Sequence, residues 1–179
     1  MSQSPKTLEF LQKLKDSGSW NDEYDYSLVN YIKNHSSVIL INKKFGTKHK
    51  VLAQSLMSKN INISIKTALN KSKYFIENLK ALGKYNESYD YSEINYKSAK
   101  EKLIVINKKT ATKHLVTTKH LYANGGLFLS NAIDKTAYTI FKFKEVHGDK
   151  YNYSKYKYIY PDTGSIIICK VHGEFKQKT

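Results

Sequence analysis

The chain has 179 residues, 40% of them hydrophobic, enough for one domain or a few small ones with cores of their own. Its 30 basic residues against 15 acidic ones leave a net charge of +15, which points toward a polyanionic partner. The single cysteine, Cys169, excludes an internal disulfide, and no apolar run approaches the ~18 residues of a membrane-spanning helix. The N-terminus lacks the apolar stretch of a signal peptide, so the expectation is a cytoplasmic protein with no membrane partner.

In chain order, Pro5 to about Asp16 reads as a short opening helix. The phrase "YDYSLVNY" follows at residues 24–31. Alternation at residues 26–32 and 38–41 predicts two strands around the polar turn "KNHSS", with a third short strand at residues 49–52. Residues 63–83 carry Ile65, Ala68, Leu69, Phe75, Ile76, Leu79 and Leu82 at helical spacing and end at Gly83, as a C-cap would. The tyrosine phrase returns as "YDYSEINY" at residues 89–96, and a strand is predicted at residues 114–117. A second long helix is predicted over residues 131–148, from Ala132, Ile133, Ala137, Ile140, Phe141, Phe143 and Val146. The third phrase, "YNYSKYKY", occupies residues 151–158, and "PDTG" (161–164) predicts the turn between the strands after it.

These segments form an internal repeat. Phe10, Leu14, Gly18 and Tyr24 recur 65 residues on as Phe75, Leu79, Gly83 and Tyr89, and "INKK" at 41–44 recurs at 106–109. Tyr24 and Ile41 stand 17 residues apart, as do Tyr89 and Ile106, and Tyr151 and Ile168. The predicted fold is α+β: tandem repeats of a small antiparallel two- or three-stranded sheet joined by long helices. The units are residues 1–69, 70–135 and 136–179, the third incomplete, which predicts a longer parent chain because half a repeat cannot close its core as the others do. Alternation puts Tyr24 and Tyr26 on one face. Packing on the following helix with hydroxyls at the rim is the expected role; stacking on bases is the alternative.

Residues 146–175, "VHGDKYNYSKYKYIYPDTGSIIICKVHGEF", resemble a repeat found beside nuclease domains in phage and bacterial homing endonucleases. In that pattern "VHGDKYDYS" leads to a hairpin ending "C-x-x-H-G-x-F", then to "HL-x-G-x-G-C-P-x-C" and a helix. The resemblance implies a small zinc site whose first ligand pair matches Cys169 and His172. Asn107 and Thr110 stand there in copy two, and Asn42 and Phe45 in copy one. The second pair falls at Leu127 and Ser130, and at Ile63 and Lys66. With four ligands normal for structural zinc, the expectation is metal-free repeats, with Cys169 a small hydrophobic strand residue.

No GIY-YIG, HNH, LAGLIDADG or phosphate-loop motif is present, and no cofactor or small-molecule substrate is indicated. Asp162, Glu174 and Lys176 satisfy the loose PD…ExK nuclease pattern, in which carboxylates hold Mg²⁺; Pro161 and Asp162 also fit a plain hairpin turn. The basic clusters carry more weight. Lys43, Lys44, Lys48, His49 and Lys50 in copy one, and Asn107, Lys108, Lys109, Lys113 and His114 in copy two, sit at the same tip between strands, with Lys119 and His120 nearby. Every basic residue is lysine, a point charge suited to phosphate rather than to forked guanine readout. An A/T-rich genome accounts for the missing arginine but not for the net charge. The expected function is double-stranded DNA binding, in a bacterial host cell if the chain is phage-encoded, as the targeting region of a homing endonuclease or relative. RNA binding, a Mg²⁺-dependent nuclease and a protein-interaction module are the alternatives.

Overall fold

The computed structural model describes residues 3–58, 61 and 63–178. The chain is α+β, with three small antiparallel sheets and several helices among the described residues. It divides into two compact units after Gly83. Among the described residues no helix is long and apolar enough to cross a membrane.

In the first unit, α1 (Pro5–Asp16) starts where the sequence predicts. The Ser4 side chain accepts the Thr7 N–H, and Pro5 sits where no N–H is needed. Thr7, Phe10, Leu11 and Leu14 form its buried face. The sheet that follows has the order β1 (Tyr24–Asp25), β2 (Ser37–Asn42), β3 (Thr47–Leu52). Leu14, Leu40 and Leu56 are fully buried in its core, each contributing about 1.5–3 kcal/mol of burial.

The expected strand at residues 26–32 does not form. Asp25 Oδ1 accepts the Ser27 N–H at 2.7 Å, and Val29 N–H donates to Tyr26 O at 3.0 Å. This Asx turn takes the chain out of the sheet after two residues. "KNHSS" is therefore a connecting loop. The hairpin turn lies at residues 43–46, between β2 and β3, and Gly46 takes the positive φ of 56° that it requires.

After β3 come α2 (Ala53–Leu56) and α3 (Lys71–Ala81). The helix predicted from residue 63 begins only at Lys71, capped by the Asn70 side chain. The preceding residues bond to the outer edge of β3 instead: Lys50 N–H donates to Thr67 O, and Leu69 N–H to Lys48 O, both at 2.9 Å. Backbone groups spent on the sheet edge are not available to a helix, so Ala68 bridges His49.

The second unit holds two sheets. The first is β4 (Tyr89–Asp90), β5 (Lys102–Asn107) and β6 (Thr112–Thr117), with α4 (Thr118–Tyr122) after it. A 3-10 turn (Leu129–Asn131) then leads to α5 (Lys135–His147), again shorter than predicted because Ala132 bridges His114. The second sheet is β7 (Tyr151–Asn152), β8 (Ser165–Cys169) and β9 (Gly173–Gln177). "PDTG" lies in the β7–β8 connection, where Thr163 N–H donates to Tyr160 O; the hairpin turn is residues 170–172.

The recurring phrase is a turn device. Asp90 and Asn152 accept the Ser92 and Ser154 N–H groups, each at 2.8 Å, as Asp25 does from Ser27. The second tyrosine of each phrase, Tyr26, Tyr91 and Tyr153, is buried. Tyr26 stacks on Trp20, and Tyr91 lies against Tyr85. Their hydroxyls accept the N–H groups of Asn21 and Asn86 at 3.2 and 3.1 Å. These rings are anchors for the preceding loop, so they have no free face for a base.

Candidate nucleic-acid interface

Strand alternation decides which tip residues reach solvent. In β3, Thr47, His49 and Val51 point inward, and Lys48 and Lys50 point out; in β6, Thr112, His114 and Val116 point inward and Lys113 out. His49 and His114 are both 0% exposed, so neither belongs to a nucleic-acid surface. His49 Nε2 and Nδ1 bond to the hydroxyls of Thr47 (2.8 Å) and Thr67 (3.0 Å), and its ring meets Tyr74 edge-on at 5.2 Å. Burial pushes this imidazole below the usual histidine range. His114 bonds Thr112 and Asn131, both at 2.8 Å, and meets Tyr138 at 5.5 Å. The Asn131 amide donates through Nδ2 to Gly126 O, which turns Oδ1 toward His114. Nδ1 of His114 thus donates to Asn131 Oδ1. Both histidines fasten the following segment to the sheet.

Two more predicted contacts are structural. Asn107 Oδ1 accepts the N–H groups of Lys109 and Thr110 at 3.0 and 3.3 Å, so this oxygen caps the hairpin turn. His120 Nε2 bonds Gly126 O at 2.7 Å. A Cβ on Gly125 would stand 2.4 Å from that ring, so glycine is required for the loop to close over it.

The lysines remain exposed, but the two tips differ. Lys43, Lys44, Lys48 and Lys50 are exposed, and no carboxylate among the described residues pairs with them. Lys44 lies over the Phe45 ring at 5.5 Å. At the second tip Lys108 Nζ donates to Glu87 O at 2.8 Å, Lys109 pairs with Glu145, and Lys113 pairs with Glu93 at 2.6 Å. Glu145 also holds Lys142 at 2.7 Å, and the two lysines keep its carboxyl below the usual range. Lys119 is exposed on α4. A further cation joins the first tip: Lys73 of α3 donates to Gly46 O at 3.0 Å. It lies 27 residues from the turn in sequence, and only the docking of α3 beside β3 brings it there.

Cys169 and His172, the pair matching the resembled repeat's first ligands, do meet: Sγ and Nδ1 are 3.5 Å apart. The N–H groups of His172 and Val171, and the imidazole, hold the thiol down to about 7. Among the described residues no group of three or more His, Cys, Asp or Glu is placed to hold a metal ion. Of the nuclease candidates, Asp162 lies in the turn of residues 160–163 rather than in a hairpin tip, and Glu174 of β9 pairs with Lys155. The Lys176 chain covers Gly164, where an added Cβ would meet it at 2.8 Å.

Residues 134–179 match a family described as proteins of unknown function (DUF723). The chain is 29% identical over 162 residues to an uncharacterized protein of Acanthamoeba polyphaga mimivirus, covering 87% of this chain and 59% of that one. A second uncharacterized protein of the same virus is 29% identical over 189 residues, covering 95% of this chain and 64% of its own. The chain thus spans about six-tenths of the length of these curated relatives. No solved structure matches it.

Proposed function

We propose that the protein is a tandem-repeat DNA-binding protein that grips duplex phosphates through the lysines of its hairpin tips, the first tip foremost. The observation that carries this reading is the set Lys43, Lys44, Lys48 and Lys50: four exposed cations on one hairpin, none held by a carboxylate of the described chain, in a protein of charge +15. A hairpin fixes its tip better than a free loop does, and lysine meets a phosphate oxygen from many angles. With the tip histidines and the Asn107 carbonyl oxygen committed to the fold, forked base-edge readout from the tips lacks its acceptor, and the binding is expected to be largely indifferent to sequence. On this reading the chain is a targeting or holding segment that accompanies a nuclease, a role for which the support is the resemblance of residues 146–175.

The test is a fluorescence-anisotropy titration of a ~20-bp duplex at 50 mM salt, with the matching RNA duplex as competitor. Saturable binding that weakens steeply with salt is expected. No binding at low salt would remove the reading, and stronger competition by RNA would reassign the partner.

A further inference from the structure

The three hairpin turns share a backbone but carry different side chains at one place. Gly46, Ala111 and Gly173 take the left-handed conformation, and the residues before them are Phe45, Thr110 and His172. Thr110 Oγ1 bonds the Thr112 hydroxyl and accepts the Thr112 N–H at 3.2 Å, and His172 Nδ1 meets Cys169 Sγ, so both side chains turn back on their own hairpins. Phe45 has no polar atom to use in that way. Its ring is half-buried: Tyr74 of α3 meets it edge-to-face at 5.5 Å, and the Lys44 ammonium lies over it at 5.5 Å. A cation over a ring at an exposed site is weakly held, so the ring face under Lys44 is open to a competing π-surface.

The helices add a second difference, independent of the turn. Lys73 and Ala137 are the third residues of α3 and α5, and their N–H groups are capped alike, by Asn70 at 2.9 Å and by Asp134 at 2.8 Å. Lys73 reaches Gly46 O, the carbonyl next to Phe45, at 3.0 Å, a contact for which Ala137 has no atoms. An ammonium has three donors, so this bond leaves two for a ligand. Further along, the eleventh residue of α5 is Glu145, which takes Lys109, whereas the eleventh residue of α3 is Ala81. The first tip therefore gathers a ring, a cation over it and a second cation at the adjoining carbonyl. The second tip has threonine for the ring, alanine for Lys73 and a carboxylate on its lysine.

We propose that the first tip is a base-stacking site. An unpaired nucleobase displaces Lys44 from the Phe45 ring and stacks there, and Lys44 and Lys73 take the phosphates flanking that nucleotide. Lys48 and Lys50, on the strand leading away from the turn, hold the duplex beside it. This rests on the DNA-binding reading above and narrows its substrate to duplex DNA that runs into a single strand. Bases inside a duplex already stack on one another, whereas an unpaired base has a free π-face. Aromatic side chains interleaved with cations are the combination that holds single strands, and such stacking tolerates any base.

The test uses the full chain and three probes at one salt concentration: a blunt ~20-bp duplex, the same duplex with a ~6-nucleotide overhang, and that overhang made of abasic sites. The abasic overhang keeps the phosphates and removes the π-faces. The base-bearing overhang should bind at least about fivefold more tightly than the abasic one, the weak end of what a base–aromatic stack supplies. A 2-aminopurine at the first unpaired position should be quenched on binding. Phe45→Thr, which places at this turn the residue that copy two has there, should bring the ratio of the two affinities to one, and Phe45→Tyr should keep it. Equal affinity of the unaltered protein for both overhangs overturns the proposal, as does a ratio that survives Phe45→Thr. A Phe45→Thr loss as large on the blunt duplex as on the overhang would make the ring a wedge between paired bases, and overturns it too. The blunt duplex and its salt slope test the phosphate grip alone, and the base-to-abasic ratio tests the stack alone, so the two readings fail separately.

Discussion

Replacing Lys43 and Lys44 with alanine removes two of the four first-hairpin cations that have no carboxylate ion pair among the described residues, while leaving its turn intact. The turn is held by other groups: Asn42 Oδ1 accepts the Phe45 N–H at 3.1 Å, and Gly46 supplies the left-handed residue. If Lys43, Lys44, Lys48 and Lys50 each neutralise one phosphate, the log–log dependence of affinity on salt has a slope of about −3.6, from roughly −0.9 per phosphate. Raising salt from 50 to 200 mM then weakens binding about 150-fold in the unaltered protein. The double variant, with two contacts left, should show a slope of about −1.8 and lose only about 12-fold over the same range. Lys108→Ala with Lys109→Ala should shift the slope by less, because Lys108 and Lys109 already engage Glu87 O and Glu145. Exposed ion pairs are weak, about 0–1 kcal/mol, so a phosphate can still compete for Lys109. The measurement is fluorescence anisotropy at five salt concentrations, with circular dichroism to confirm that both variants fold. Unchanged slope and affinity after loss of Lys43 and Lys44 would refute the assignment, and a larger effect at the second tip would invert it.

His49→Ala should destabilise the first unit by about 2–4 kcal/mol, the sum of a buried cavity and two lost hydrogen bonds, read as a lower melting temperature. Because burial depresses the His49 value, its neutral form is the one the fold holds. The stability it supplies is complete above the ordinary histidine range and is lost as pH falls through that range toward the depressed value. Melting should therefore drop between pH 7.5 and 5, and a pH-independent midpoint would count against the buried ring. Asp25→Ala should lower the midpoint by a few degrees, since a lost turn cap at an exposed site costs about 1 kcal/mol or less. Asp25→Asn should change little, because Asn152 does the same work in the third phrase, and equal damage from both variants would sink the Asx-turn account. A strong chelator should leave the melting curve unmoved, whereas structural zinc would show as a large fall. Plasmid incubated with Mg²⁺ should stay intact; cleavage that vanishes in Glu174→Ala would promote the nuclease alternative.

What the sequence disclosed divides along physical lines. The opening helix was legible because Ser4 and Pro5 are local signals that need no tertiary partner. The edge strands were legible too, since "TKHKVL" and "TKHLVT" alternate at period two. That same alternation contained the fate of the histidines: His49 is in phase with Thr47 and Val51, and out of phase with the lysines. Reading it as one more cation of a basic cluster ignored the period. The strand expected at residues 26–32 failed because a two-residue bond from Asp25 to Ser27 competes locally with the ladder. The long helices failed for the opposite reason, a non-local one: the edges of β3 and β6 claim backbone groups of residues 67, 69 and 133. Nothing in a one-dimensional pattern reports that claim.

The inequality of the two basic tips was the least legible feature, and it bears most on function. Lys43 and Lys44 match Lys108 and Lys109 in sequence, yet Glu145, 36 residues from Lys109, and the Glu87 carbonyl tie down the second pair only. Recurrence of a phrase in this chain mostly records what each sheet needs in order to form: an Asx turn, a ring under the preceding loop, a histidine to fasten the following segment. Such residues are satisfied within the fold and have little left to offer a ligand. The groups with unspent capacity are those whose surroundings differ between the copies. Among the described residues the first-tip lysines have no carboxylate ion pair, and the third sheet has Phe175 for histidine, a loop shorter by three residues and a buried Tyr153 hydroxyl without a hydrogen-bond partner. Substitutions at the first-tip lysines should therefore alter binding more than stability, and substitutions at the Asx-turn residues, the buried tyrosines and the fastening histidines should do the reverse.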